Sequence, residues 1–231
     1  KMKKIIAVLI ALLLLAGTAA AETKITVSGT GETQVSADTA VISLGVSIRD
    51  KDVLQAQQKV NEAIAAVRKA LSENGVEEDC VSTGYMNIYA NYDYGYSGGE
   101  EQVSSYNAQS TLSVKVTDME KVGLLIDVSF AAGANTLHGI TFSASDTEEA
   151  GAESLKKAVA DARAKAEILA KASGLKITKA ESIAEGGVYS YDNSIGNFSA
   201  KAMAAEEAGG TIVQAAKLIV SASVTITFDA E

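Results

Sequence analysis

The sequence predicts an α+β fold, a largely antiparallel sheet with amphipathic helices packed on one face, in the order β-β-α-β-β-α-β-α-β-β. Three observations predict it. Strict alternation marks half-buried strands, most clearly where Leu218, Val220, Ala222, Val224, Ile226 and Phe228 interleave with Ser221, Ser223, Thr225 and Thr227. Two longer segments repeat apolar residues at helical spacing. The strands come in long hairpins of mixed order with the helices, the pattern of helices segregated to one face of an antiparallel sheet.

Taken in order, residues 24–36 (KITVSGTGETQVS) read as a strand broken by Gly29 and Gly31. Residues 40–49 alternate, with Ile42, Leu44, Val46 and Ile48 on one side and Ser43, Gly45 and Ser47 on the other. Asp52 followed by Gln55 resembles a capping box. Val53, Val60, Ile64, Val67 and Leu71 then place a helix over 53–73, which Asn74-Gly75 stops. Residues 81–94 and 102–117 form a hairpin around the glycine-rich tip at 95–99. Asp118 caps a short helix carrying Val122, Ile126 and Phe130, ended by Gly133. Residues 137–145 return as a strand with Ile140, Phe142 and Ala144 on one side.

Asp146 and Glu149 make a second capping box. The helix behind it carries Leu155, Val159, Ala162, Ala166 and Leu169 and closes at Ser173-Gly174. Glu153–Lys157, Asp161–Lys165 and Glu167–Lys171 stand four apart with the acid first, so that face is solvated. The many alanines suggest close approach to a sheet. Residues 175–185 give another strand, 186–216 are loosely patterned and rich in Gly, Ala, Ser and Asn, and the alternating run from Leu218 closes the fold. The chain has no proline, where average usage of ~5% would give roughly a dozen.

The N-terminal segment reads as an export signal. Lys1, Lys3 and Lys4 precede an apolar stretch from Ile5 to Ala16, and Ala19 and Ala21 stand at A-x-A positions before Glu22. The stretch is shorter than the roughly 18 residues of a bilayer-spanning helix. The expectation is a cleaved signal peptide over 1–21 and a single α+β domain over 22–231, with two small lobes as the alternative. Once cleaved, the chain is not expected to be an integral membrane protein. With no cysteine after the run, a lipoprotein anchor is not expected either.

Composition narrows the function classes. The chain carries 20 Lys and Arg against 29 Asp and Glu, a net charge of −9, and losing three lysines with residues 1–21 moves it to −12. That balance repels phosphate backbones, and no basic stripe with interleaved aromatics appears, so nucleic acid is not an expected partner. Cys80 is the single cysteine, which precludes an intramolecular disulfide and zinc-thiolate sites. Its neighbours Glu77, Glu78 and Asp79 disfavour a thiolate. His138 is the single histidine, so a multi-histidine metal site is precluded and it reads as a surface or strand-end residue. Gly29-Thr-Gly31 lacks the third glycine of a dinucleotide loop and lies inside a strand pattern, so it reads as a bulge or a close backbone approach. The acidic pairs Glu77/Glu78, Glu100/Glu101, Glu148/Glu149 and Glu206/Glu207 read as solvated or as complementing helix dipoles. Asp93 with Glu100 and Glu101 has the chemistry for calcium but matches no EF-hand spacing. No catalytic residue, cofactor or metal is expected.

The one unusual distribution is aromatic. All eight tyrosines fall in two segments, Tyr85, Tyr89, Tyr92, Tyr94, Tyr96 and Tyr106 in the hairpin and Tyr189 and Tyr191 in the late stretch that also holds Phe198. Tyrosine offers large contact area with a polar tip and is favoured at interfaces. One reading is ordinary cross-strand packing. The other is that Tyr92, Tyr94, Tyr96, Tyr189, Tyr191 and Phe198 converge on a contact surface for a second copy, a glycan or another cell-envelope component.

The phrases ITVSGTGETQVSADTAVISLGV, YANYDYGYS, ESLKKAVADARAKAEILAKASG and LIVSASVTITF, over about residues 24–229, resemble the SIMPL-domain proteins, exported bacterial proteins of largely unknown function. The family usually has proline where this chain has Ala37, Ala90 and Ala215, which bears on local turns rather than on the fold. The resemblance implies a periplasmic or cell-surface location and, in some members, a ring-like or channel-like homo-oligomer, an immunogenic surface role or a part in oxidative-stress resistance. It supplies no catalytic residues. The expectation is therefore a non-enzymatic, exported, self-associating envelope protein. The alternative is a small-molecule or glycan binder using the tyrosine-rich loops.

Overall fold

The computed structural model describes residues 23–93, 102–192, 210–215 and 217–231. The expected signal peptide, the hairpin tip with Tyr94, Tyr96, Glu100 and Glu101, and the stretch with Phe198, Glu206 and Glu207 lie outside them. The elements are β1 (Thr23–Ser36), β2 (Thr39–Asp50), α1 (Val53–Glu73), β3 (Val81–Asp93), β4 (Gln102–Val116), α2 (Val122–Ala131), β5 (Thr136–Ser143), α3 (Glu148–Ala172), β6 (Ile177–Asp192) and β7 (Lys217–Ala230), with short 3-10 turns at Glu78–Cys80 and Met119–Lys121. The order and the antiparallel α+β class are those the sequence predicts. The strands divide between a three-stranded sheet, β1-β7-β6, and a four-stranded sheet, β3-β4-β2-β5. Two compact units result, one from the described residues within Lys1–Gly31, Glu153–Val188 and Ala222–Glu231, the other from those within Glu32–Ala152 and Tyr189–Ser221.

In the first unit, Val27 on β1 and Val224, Ile226 and Phe228 on β7 pack with Ala158, Ala162 and Ala166 of α3. The helix turns its alanines to the sheet because the strand beneath it is glycine. A Cβ on Gly29 would stand 2.1 Å from the Ala158 carbonyl oxygen, and one on Gly31 2.2 Å from that of Ser154. Gly29 and Gly31 are thus a close backbone approach inside an unbroken strand. The apolar face of α3 is Ala158, Ala162, Ala166 and Ala170, whereas Val159 and Leu169, expected on it, are exposed. Of the expected ion pairs Asp161–Lys165 forms at 2.7 Å, while Glu153 meets Lys156 and Glu167 meets Arg163.

The edge of β1 is covered from above by the same helix. Asp161 accepts from the Thr30 N–H at 2.9 Å, and Lys165 donates to the Ser28 carbonyl at 3.1 Å. The Asp161 carboxyl is held below its ordinary value, first by the Lys165 ammonium and then by the Thr30 N–H.

In the second unit, Ile42, Leu44, Leu112, Val114 and Phe142 of the sheet form the core with Val67 and Leu71 of α1 and Val122, Leu125 and Ile126 of α2. Val46 and Ala108 pack with Ala56 and Val60 in a second cluster. At the start of α1 the Asp52 side chain accepts from the Gln55 N–H at 3.0 Å, and Gly75 follows the helix at φ 87°. Asp118 caps the Met119–Lys121 turn by accepting from Glu120, and Asp146 accepts from the Glu148 N–H rather than from Glu149. Phe130, expected inside, is exposed, since the buried stripe of α2 runs through Val122, Leu125, Ile126 and Ser129.

Candidate functional site

The candidate site lies on the four-stranded sheet, which has two features the core does not consume. The first is its β3 edge. β3 ends the order β3-β4-β2-β5, so among the described residues one side of its backbone has no strand beside it. Edge strands are normally blunted by charge, shortness, bulges or cover. β5, the opposite edge, is short and slips register against β2 between Ser43 and Leu44. In the other sheet, β1 is bonded by Asp161 and Lys165, and β6 carries Lys179, Glu181 and Glu185. β3 runs 13 residues with no charged side chain before Asp93. Its register shifts at two places, Thr83/Tyr85 and Asn91/Tyr92, which leaves Tyr85 to Asn91 regular. Tyr85, Met86, Tyr89 and Tyr92 are all exposed along it.

The second feature is the face of the sheet turned away from α1. Cα partners in a ladder share a face. Tyr85 pairs with Thr111, Asn87 with Gln109 and Tyr89 with Asn107. Gln109 then pairs with Ser47 and Asn107 with Arg49 on β2. The side chains are linked: Asn107 donates to the Tyr89 hydroxyl at 3.1 Å and to the Ser47 hydroxyl at 3.2 Å. His138 Nε2 lies 3.3 Å from the Thr111 hydroxyl and 3.5 Å from the Gln109 amide. Beyond the end of β5, the Asn135 side chain takes the place of a further paired residue. It accepts from the Ser47 N–H and donates to the Ser47 carbonyl, both at 2.8 Å.

Of the residues singled out from sequence, Tyr92 lies exposed on β3 and Tyr189 exposed on β6. Tyr191 belongs to β6, and Tyr94, Tyr96 and Phe198 lie outside the described residues. Asn87, Asn107 and Gln109 were not singled out from sequence, and Tyr85 and Tyr89 were noted in the hairpin cluster but not assigned to the contact surface. Their signal was present, since Tyr85, Asn87, Tyr89 and Asn91 alternate, but which side of the strand is free depends on where α1 packs. Cys80 is half-buried, and burial pushes its thiol up, with the charges of Asp79 and Glu77 adding to it. A shallow depression at the end of α3 is lined by Arg163, Glu167, Lys171 and Lys176, with Arg163 already bonded to Glu167 at 3.1 Å. Among the described residues no group of three His, Cys, Asp or Glu is placed to hold a metal ion, and no helix is long and apolar enough to cross a membrane.

The SIMPL profile, described as a protein of unknown function (DUF541), matches residues 25–228. The chain belongs to the SIMPL family. Among relatives of this SIMPL chain, the 26 kDa periplasmic immunogenic protein of Brucella melitensis is 30% identical over 165 residues, 70% of this chain and 66% of that protein. The uncharacterized protein YggE of Edwardsiella ictaluri is 26% identical over 172 residues, 74% of this chain and 68% of that one. YggE of Escherichia coli K12 is 24% identical over 174 residues, 75% of this chain and 67% of that one. The SIMPL chain thus spans just under two thirds of the length of its Brucella relative.

Proposed function

We propose that this SIMPL chain is an exported, periplasmic envelope protein that works by self-association rather than by catalysis, a second copy adding its β3 to the free edge of the first. The observation that carries the reading is the β3 edge from Tyr85 to Asn91, without charge and with no strand beside it among the described residues, and with Tyr85, Met86, Tyr89 and Tyr92 exposed along the strand. Strand addition at such an edge satisfies backbone groups that otherwise face water, and the flanking aromatic side chains add contact area. A self-pairing segment without charge meets no like-charge repulsion, although the whole chain carries −9. Export is supported by the Lys1–Ala21 pattern and by the printed name of the Brucella relative. The absence of catalysis is supported by the inventory of one histidine and one cysteine. The stress role that the resemblance implies belongs to the same proposal.

Amide hydrogen exchange at rising protein concentration tests it. The β3 amides not bonded to β4 gain protection with concentration if edges pair, and stay fast at every concentration if they do not.

A further inference from the structure

The polar face of the four-stranded sheet stands apart from the rest of the chain in its charges. In a chain with 29 acidic residues, the strand positions of this face from Tyr85 to Asn91 on β3, Ser105 to Lys115 on β4 and Val41 to Arg49 on β2 carry no carboxylate. Its charges are Arg49 near one end and Lys115 near the other, both exposed. Between them lie planar amides and hydroxyls, Asn87, Asn107, Gln109 and Thr111, with the exposed His138 imidazole beside Thr111 and two half-open phenol rings, Tyr85 (53% exposed) and Tyr89 (47%). At Thr136, which pairs with Gly45 on this face, the hydroxyl is buried with no hydrogen-bond partner among the described residues.

We infer that this face binds an acidic oligosaccharide, a chain of sugar rings bearing carboxylates. Phenol rings present flat apolar surface to the C–H faces of pyranose rings, and side-chain amides and hydroxyls replace the water that sugar hydroxyls give up. A peptide would seek a free strand edge or apolar pockets, and the middle of this face offers polar side chains on β4 and β2, which have strands on both sides. A nucleic acid needs many cations, and two cannot offset a chain of −9. Two separated cations on strand positions that carry no carboxylate match an extended polyanion of low charge density. Asn107 is already oriented by Tyr89 and Ser47, and ordering it beforehand lowers the cost of engaging a ligand. The inference does not rest on self-association: the edge offers backbone groups of β3, whereas this face offers side chains of β3, β4 and β2, with Tyr85 and Tyr89 common to both.

The test is an NMR titration of the full chain with tetragalacturonate, and with the neutral N-acetylglucosamine tetramer for comparison. The expected result is shifts in the side-chain amides of Asn87, Asn107 and Gln109 and in the His138 ring, at millimolar affinity or better. Tyr85→Ala with Tyr89→Ala should weaken binding by ~10-fold or more, and Arg49→Gln less so. No response at ~10 mM ligand, shifts confined to other residues, unchanged affinity in the double variant, or equal binding of the neutral tetramer would each overturn the assignment. The mass of the chain in solution, measured on the same double variant, reports on self-association separately.

Discussion

Gly29 of β1 lies so close beneath Ala158 of α3 that a Cβ added to the glycine would stand 2.1 Å from the alanine's carbonyl oxygen. The contact explains both halves of a sequence pattern, small residues every four along α3 and a glycine pair inside a strand. Gly29→Ala therefore forces the helix off the sheet, and a cost of about 3 kcal/mol is expected, the upper end for overpacking. Urea unfolding of the variant checks it. A loss of only a few tenths would show that α3 can shift without penalty.

Asn135 offers a second test, in the other unit. Its side chain pairs with both backbone groups of Ser47 where β5 has ended. Asn135→Ala leaves an N–H and a carbonyl without partners, at a position open to water, and an expected cost of about 1 kcal/mol follows. Asn135→Asp should cost a similar amount, because a carboxylate accepts from the N–H but cannot donate to the carbonyl.

The element order was legible because period-2 and helical patterns are local: Ile42, Leu44 and Val46, and Val60, Val67 and Leu71, are buried as alternation and spacing require. The division into two sheets was not legible. It depends on β1 meeting β7, where Thr26 faces Thr227 and Ser28 faces Thr225 across almost the whole chain, and no local pattern encodes a partner that distant. The face of α3 was misread for a related reason. Val159 and Leu169 were expected to pack, but α3 lies so close over Gly29 and Gly31 that the small Ser154, Ala158 and Ala162 fill its buried face, and Val159 and Leu169 turn outward. The tyrosine clusters drew attention to β3, yet the exposed set begins earlier, at Tyr85, because only the register shows which strand is the edge.

Asp127 on α2 gives a pH signature. It accepts from the Thr211 hydroxyl and from the Thr211 N–H at 3.0 Å. The hydroxyl, and then the N–H, hold its carboxyl below the ordinary value against a smaller opposing effect of burial. A carboxyl depressed in the folded state contributes stability that is present above its unfolded value of about 3.9 and is lost as pH falls through the folded value. Asp127→Asn should therefore be less stable than the parent at neutral pH, with the gap closing below about pH 4. Thermal unfolding between pH 7 and pH 3 checks the sign, and a gap that widens in acid would contradict it.

Asp229 on β7 is buried, and Lys179 of β6 reaches it at 3.3 Å from a largely exposed position. Its second oxygen, Oδ1, has no partner among the described residues. Lys179→Ala removes the countercharge from an already under-satisfied carboxylate, and a loss of about 1–2 kcal/mol is expected, reduced from the fully buried case because the lysine is open to water. Adding Asp229→Leu to that variant should restore part of the loss, which a double-mutant cycle in urea would measure.

Self-association through β3 stands or falls most directly on solution mass. Light scattering on the chromatographed chain should give a mass above the 23.8 kDa of one chain of 231 residues. Met86→Lys, which puts a charge on an exposed position in the middle of the edge, should return the mass to one chain while leaving the unfolding temperature unchanged. A parent that is strictly monomeric, or an assembly that Met86→Lys leaves intact, would contradict it.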